Sequence, residues 1–164
     1  MKAILILSLI FMHSAFSFAG DKIGNGGGLW ACLAPDFSVQ TGFMVDLFEA
    51  QNQQNLVLSN FTQKEPFQIV DFIAANLANT FPDYATQWLD TLKDVKTKIQ
   101  YTNAELQVVD DSLYIMKPYP ALCRTGWIYL QFANYTNQNQ VLIRNDVWNS
   151  PAIAAIDKAA LVWH

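Results

Sequence analysis

Cys32 and Cys123 are the only cysteines in this 164-residue chain, and two cysteines admit a single intramolecular pairing. Whether they close depends on the compartment, because thiols stay reduced in the cytosol and pair in oxidising surroundings. The N-terminus supplies the address. Lys2 gives a short positive start, residues 3–12 are almost wholly apolar, and Ser17 and Ala19 occupy the small positions ahead of Gly20. This is the three-part pattern of a secretory signal peptide over residues 1–19. Its apolar run is shorter than the roughly 20 residues a membrane helix needs. The expected product is exported, to the periplasm or beyond the cell, and carries a Cys32–Cys123 disulfide. Neither cysteine has a CxxC neighbour or an adjacent histidine, so a redox or metal-binding pair is the weaker reading.

Composition narrows the function classes. Lysine and arginine number 10 against 14 aspartates and glutamates, for a net charge of −4, and no basic cluster suits a phosphate backbone. No nucleic-acid partner is expected. Beyond residue 19 no apolar stretch is long enough to span a bilayer, so no integral membrane span is expected after signal removal. Residues 20–28 hold five of the seven glycines. They lack both the Gly-Lys-Ser/Thr ending of a P-loop and the preceding strand of a dinucleotide fingerprint. They read as a flexible Gly-rich lead-in to a single domain over residues 29–164.

Hydrophobic periodicity predicts the elements of that domain. Residues 29–33 suit a strand, closed by Ala34, Pro35 and Asp36. Residues 43–53 carry Phe43, Leu47 and Ala50 at helical spacing. Residues 55–60 are too short to assign. Pro66 opens a helix to residue 79 with Ile69, Val70, Ile73 and Leu77 on one stripe. Pro82 opens the next, where Tyr84, Trp88, Leu92, Val95 and Ile99 recur as a core stripe. Later the character changes. Residues 113–116 suit a strand, and residues 126–135 form a continuous run of β-formers. A turn at Asn137, Gln138 and Asn139 leads to a partner strand over residues 140–144, completing a β-hairpin. Ser150 is placed to cap a terminal helix opening at Pro151, with Ile153, Ile156, Ala160 and Trp163 on its stripe. Helices in the first half, then a hairpin and terminal helix, define an α+β fold.

Candidate chemistry is sparse. After the signal peptide the chain has one histidine, His164. A triad around an internal histidine and a multi-histidine zinc site are thereby excluded within these residues. Asp110 and Asp111 are adjacent acids, and neighbouring residues on a strand point to opposite faces. Twelve asparagines and twelve glutamines accompany five tryptophans. Rings stack on sugar faces and amides bond hydroxyls, so the hairpin face with Trp127, Tyr129, Gln131 and Tyr135 is the expected ligand-binding surface. Asn60-Phe61-Thr62 and Asn134-Tyr135-Thr136 match glycosylation acceptors, relevant only in a eukaryotic secretory path.

Three landmarks carry a resemblance. They are Gly24-Asn25-Gly26-Gly27 with Cys32 close behind, a central helical region, and an ending with Cys123, Gln131, Ala133, Val147-Trp148 and Asp157-Lys158-Ala159-Ala160-Leu161-Val162-Trp163-His164. Together they resemble small exported proteins of unknown function from predatory bacteria of the Bdellovibrio type. The resemblance covers most of residues 20–164, with recognisable motifs at the two ends. In that family the final Ala-Leu-x-x-His continues into a glutamate, so the resemblance implies a family site near His164 and a reading frame truncated here. A His-Glu pair on an apolar helix is half of a zinc-protease helix, whose second histidine follows one turn later.

The expectation is a non-enzymatic exported protein that binds a protein or glycan partner. One alternative is a metal-dependent hydrolase with His164 as ligand and its remaining ligands beyond residue 164. Another is a structural envelope protein without a specific ligand. No cofactor is expected, zinc entering only with a longer form.

Overall fold

The computed structural model describes residues 27–55, 61, 65–109 and 116–164. The signal segment, most of the glycine-rich lead-in, residues 56–60, the Asp110-Asp111 pair and nearly all of the expected 113–116 strand lie outside the described residues.

Strand β1 (Gly28–Leu33) turns sharply into β2 (Val39–Met44). Asp36 makes the turn. Its Oδ1 accepts from Ser38 N at 3.0 Å and from the Ser38 hydroxyl at 2.7 Å, and Phe37 takes a left-handed φ of 66°. Helix α1 (Val45–Gln53) follows β2 without a break. The helix expected from Phe43 therefore starts two residues later, because Phe43 and Met44 pair with β1. Trp30 faces Phe43 and Leu29 faces Met44 across that ladder.

Helices α2 (Pro66–Thr80) and α3 (Pro82–Lys98) form a hairpin with Phe81 alone between them. Both open on proline, whose fixed φ suits the first turn. Glu65 N also donates to Gln68 Oε1 at 3.2 Å. The α2 stripe is core, with Ile69 and Val70 fully buried. The α3 stripe is core only in part: Leu92 is buried, whereas Tyr84 is 55% exposed. Ile99, expected at the end of that helix, instead begins β3 (Ile99–Thr102).

The expected single strand over residues 126–135 is two. β4 (Trp127–Gln131) pairs antiparallel with β1, and β5 (Ala133–Tyr135) pairs antiparallel with β6 (Val141–Arg144). The switch falls at Phe132, whose side chain is completely buried. Its N–H, like that of Ala133, reaches Gly27 O, while its carbonyl accepts from Arg144 N at 2.9 Å. The hairpin is thus formed by β5 and β6 only. Two three-stranded sheets result, ordered β2-β1-β4 and β3-β6-β5, with β3 parallel to β6.

A short helix α4 (Asn145–Trp148) precedes α5 (Ala155–Trp163). The terminal helix starts later than expected because Ser150 caps a turn instead, its Oγ accepting from Ala152 N at 3.2 Å. α5 joins two core clusters. Leu161 packs with Leu29, Met44, Phe132 and Ile143, and Ala159 and Val162 pack with Ile69, Val70 and Leu92. The molecule is a single-domain α+β fold. Among the described residues no helix is long and apolar enough to cross a membrane.

Cys32 and Cys123 form the disulfide, their Cα atoms 5.6 Å apart. Thr125 Oγ1 reinforces the same corner by donating to Leu33 O at 2.8 Å.

Candidate binding site

β-Strand alternation puts Trp127, Tyr129 and Gln131 on one face of β4, beside Trp30 and Phe43 of the neighbouring strands. That face is aromatic but largely covered. Trp30 packs edge-on against Tyr129 at 5.7 Å between ring centroids, and Trp127 packs on Phe43 at 5.6 Å. Residues 116–119 run over it, with Trp30 Nε1 donating to Met116 O at 2.8 Å and Trp127 Nε1 to Tyr119 O at 3.0 Å. Both indole donors are therefore engaged within the chain.

Gln131 is 1% exposed. Its Oε1 accepts from Val109 N at 2.9 Å and its Nε2 donates to Ala133 O at 2.8 Å. This amide ties residue 109 to the strand switch. Tyr135 belongs to the other sheet, beyond that switch, and its hydroxyl bonds the Asn139 side chain. The four residues expected to share a surface are thus divided, three on one sheet and one on the other.

A different feature gathers chemistry. A cavity of about 310 Å³ lies between α3, α5 and the β3-β6-β5 sheet. Its walls are mainly aliphatic: Val95 from α3, Ile99 from β3, Val141 from β6, and Leu161 and Val162 from α5. Asn134 and Trp163 are among its lining residues, but Asn134 Oδ1 and Trp163 Nε1 are each buried without a partner among the described residues, and neither atom is open to the space. Asn134 is 8% exposed. Its Nδ2 donates to Gln107 O at 3.2 Å, which fixes the amide so that the free atom is the acceptor. That bond also engages the side-chain nitrogen of the Asn134-Tyr135-Thr136 acceptor match.

Tyr135 and His164, singled out in the sequence for other roles, both line this cavity. His164 Nε2 lies 3.2 Å from Asp46 Oδ2, so the end of α5 meets the first turn of α1 at the cavity rim. Among the described residues no three of His, Cys, Asp and Glu gather as a metal-binding group. Asp157, one face of α5 away, is 6% exposed, and burial pushes its carboxyl up to about 6 against the opposing hydrogen bond from Met44 N. Nothing in the local sequence marks Asn134 and Trp163 as neighbours of one space, since β5 and α5 meet only through tertiary packing.

No protein-family model, curated protein or solved structure matches the chain.

Proposed function

We propose that this is an exported, disulfide-closed binding protein that works without chemistry of its own and holds a small ligand in the cavity between α3, α5 and β3-β6-β5. The observation that carries the reading is the cavity itself, about 310 Å³ with mostly aliphatic walls and with Tyr135 and His164 among its lining residues. Ligand sites are typically concave, largely apolar and furnished with a few convergent polar groups, and about 300–1,000 Å³ in size. The signal-peptide pattern and the disulfide support an oxidising, extracytoplasmic location. The glycan surface expected on β4 is less well served, because Gln131 spends its amide inside the fold.

Titration of the purified protein, disulfide intact, with the environment-sensitive dye 1-aminoanthracene tests this reading. Saturable one-to-one binding, weakened at least tenfold by the cavity-filling substitution Val95→Phe in a variant with an unchanged circular dichroism spectrum, is the expected result. Absence of saturable binding, or equal binding by that variant, overturns it.

A further inference from the structure

We infer that a second site, a groove between the β2-β1-β4 sheet and the segments that follow β3 and β6, takes a peptide segment of a partner protein that carries basic beside aliphatic side chains. The groove measures about 900 Å³ and shares no lining residue with the cavity of the binding reading above. Three observations lead to it.

The first is an aromatic ring held out at a cost. Phe37 lines the groove from the turn between β1 and β2, where it is 82% exposed and takes a φ of 66°. Left-handed backbone crowds any side chain with a Cβ, a bulky one most of all. The other non-glycine residues at positive φ among those described, Asn55 and Asn139, are of the type that tolerates it. The turn itself has no need of a ring. Phe37 N donates to Ala34 O at 2.9 Å and Ala34 N to Ser38 O at 2.8 Å, backbone bonds that asparagine at position 37 would keep. The Cys32–Cys123 disulfide and the Thr125 bond to Leu33 O anchor the same end of the sheet. A strained, exposed ring on a braced turn fits a contact made outside the chain.

The second is an uncovered apolar floor. Leu33 pairs with Val39, while Ile128 and Leu130 pair with Ala31 and Leu29, two and four residues before Leu33. All four groove residues therefore share one face of the sheet. Leu29 and Ala31 are fully buried on that face, whereas Ile128 at its far end is 39% exposed. The apolar face of the core thus continues into the groove, beyond what covers it among the described residues. Such a patch suits a partner's aliphatic side chains.

The third is charge. The charged side chains lining the groove are Glu105, Arg144 and Asp146. Arg144 is spent on Asp146, its Nε on Oδ1 at 3.1 Å and its Nη2 on Oδ2 at 2.5 Å. Glu105 has no ion-pair partner among the described residues, so it is free to meet a cation. The Phe37 ring offers a cation a second attraction, and the chain's net charge of −4 has the matching sign. The amides are partly used: Asn103 Oδ1 accepts from Asn145 Nδ2 at 3.0 Å, and Asn149 Nδ2 donates to Asn145 Oδ1 at 2.7 Å. A sugar would bring its hydroxyls to an aliphatic floor, whereas leucine beside lysine meets both the floor and Glu105.

The experiment follows the fluorescence anisotropy of fluorescein-labelled Gly-Lys-Leu-Lys-Leu-Lys-Gly with the purified, disulfide-intact protein. An ionic strength of about 0.15 M screens long-range attraction. Two counterparts, with glutamate for lysine and with serine for leucine, separate charge from apolar contact. The lysine-leucine peptide is expected to bind saturably and about tenfold more tightly than either counterpart. Phe37→Asn should weaken it about fivefold and yet raise the denaturation midpoint, because asparagine accepts the left-handed backbone. Val95→Phe, which fills the cavity, should leave peptide affinity unchanged. Absence of saturable binding, a counterpart that binds as tightly, or an unchanged affinity in Phe37→Asn overturns the inference. If Phe37→Asn fails to fold, Glu105→Gln decides, with a loss of about threefold expected and no loss contradicting the account. Loss of peptide binding in Val95→Phe also overturns it, by assigning the peptide to the cavity. So does calorimetric binding of triacetylchitotriose that Phe37→Asn abolishes, the outcome for a glycan groove. The dye titration of the cavity stands or falls separately from all of these.

Discussion

Met44 N donates a 2.8 Å hydrogen bond to Oδ1 of Asp157, 113 residues further along the chain. The contact pins the start of α1 to the first turn of α5, the helix that joins the two cores. It also holds a carboxyl group where burial outweighs the hydrogen bond, so its pKa rises from the ordinary 3.8 to about 6.

A raised carboxyl pKa means that the folded state binds more protons than the unfolded one between about pH 4 and pH 6. Stability from this group is greatest below about pH 4, falls as pH rises through 6, and stays lower above it. The shift corresponds to a difference of about 2–3 kcal/mol. Asp157→Asn keeps an acceptor for Met44 N and removes the buried charge. It should stabilise the protein at pH 7–8 and flatten the stability profile between pH 4 and 7. Urea denaturation across that range checks both expectations, and an unchanged slope in the variant would contradict them.

The disulfide closes a loop with a sequence separation of 91 residues. On loop-closure entropy it stabilises the fold by about 4–5 kcal/mol. Cys32→Ser with Cys123→Ser should lower the denaturation midpoint accordingly, and reduction of the native protein should reproduce most of the loss. Alkylation under non-reducing, denaturing conditions should find no free thiol.

Gly42 sits where β2 crosses the chain before α5. A Cβ there would lie 2.6 Å from Ile153 Cδ1 and 3.0 Å from Trp30 O. The backbone oxygen cannot yield as a side-chain tip can, so Gly42→Ala should cost about 1–3 kcal/mol through overpacking. The measured denaturation free energy tests this directly.

Gln131→Leu preserves size and strands two backbone groups, Val109 N–H and Ala133 C=O. A loss of about 2–4 kcal/mol is expected from the two unsatisfied partners. Because Gln131 is not a wall of the cavity, 1-aminoanthracene affinity in the folded variant should be unchanged. A selective loss of dye binding without a change in stability would point instead to a ligand role for Gln131.

Much of this architecture is legible in the chain itself. Pro66 and Pro82 announce α2 and α3, and the stripe through Ile69 and Val70 identifies the buried face. Cys32 and Cys123 had only each other to pair with. The misread places are those where tertiary pairing overrides a local pattern. Ile99 keeps helical spacing with Val95, yet it leaves the helix to lie beside Val141 of a strand distant in sequence. The β-forming run through Phe132 shows no break, and the switch of sheet there depends on Gly27 O and Arg144 N arriving from elsewhere. Phe43 fits a helix face as well as it fits a strand, and pairing with Trp30 decides. The cavity was invisible for the same reason: Asn134 reads as a glycosylation acceptor and Trp163 as one more core residue until the fold places both at one space.

The central claim, that the cavity between α3, α5 and β3-β6-β5 holds a small apolar ligand, is tested most directly by the backbone amide signals of the 15N-labelled protein. Saturation with 1-aminoanthracene should move the signals of Val95, Ile99, Val141 and Leu161, which line the cavity, and leave those of Ala31 and Thr41 in the other sheet nearly in place. Cavity signals that stay still, while the dye binds elsewhere or not at all, would contradict the account.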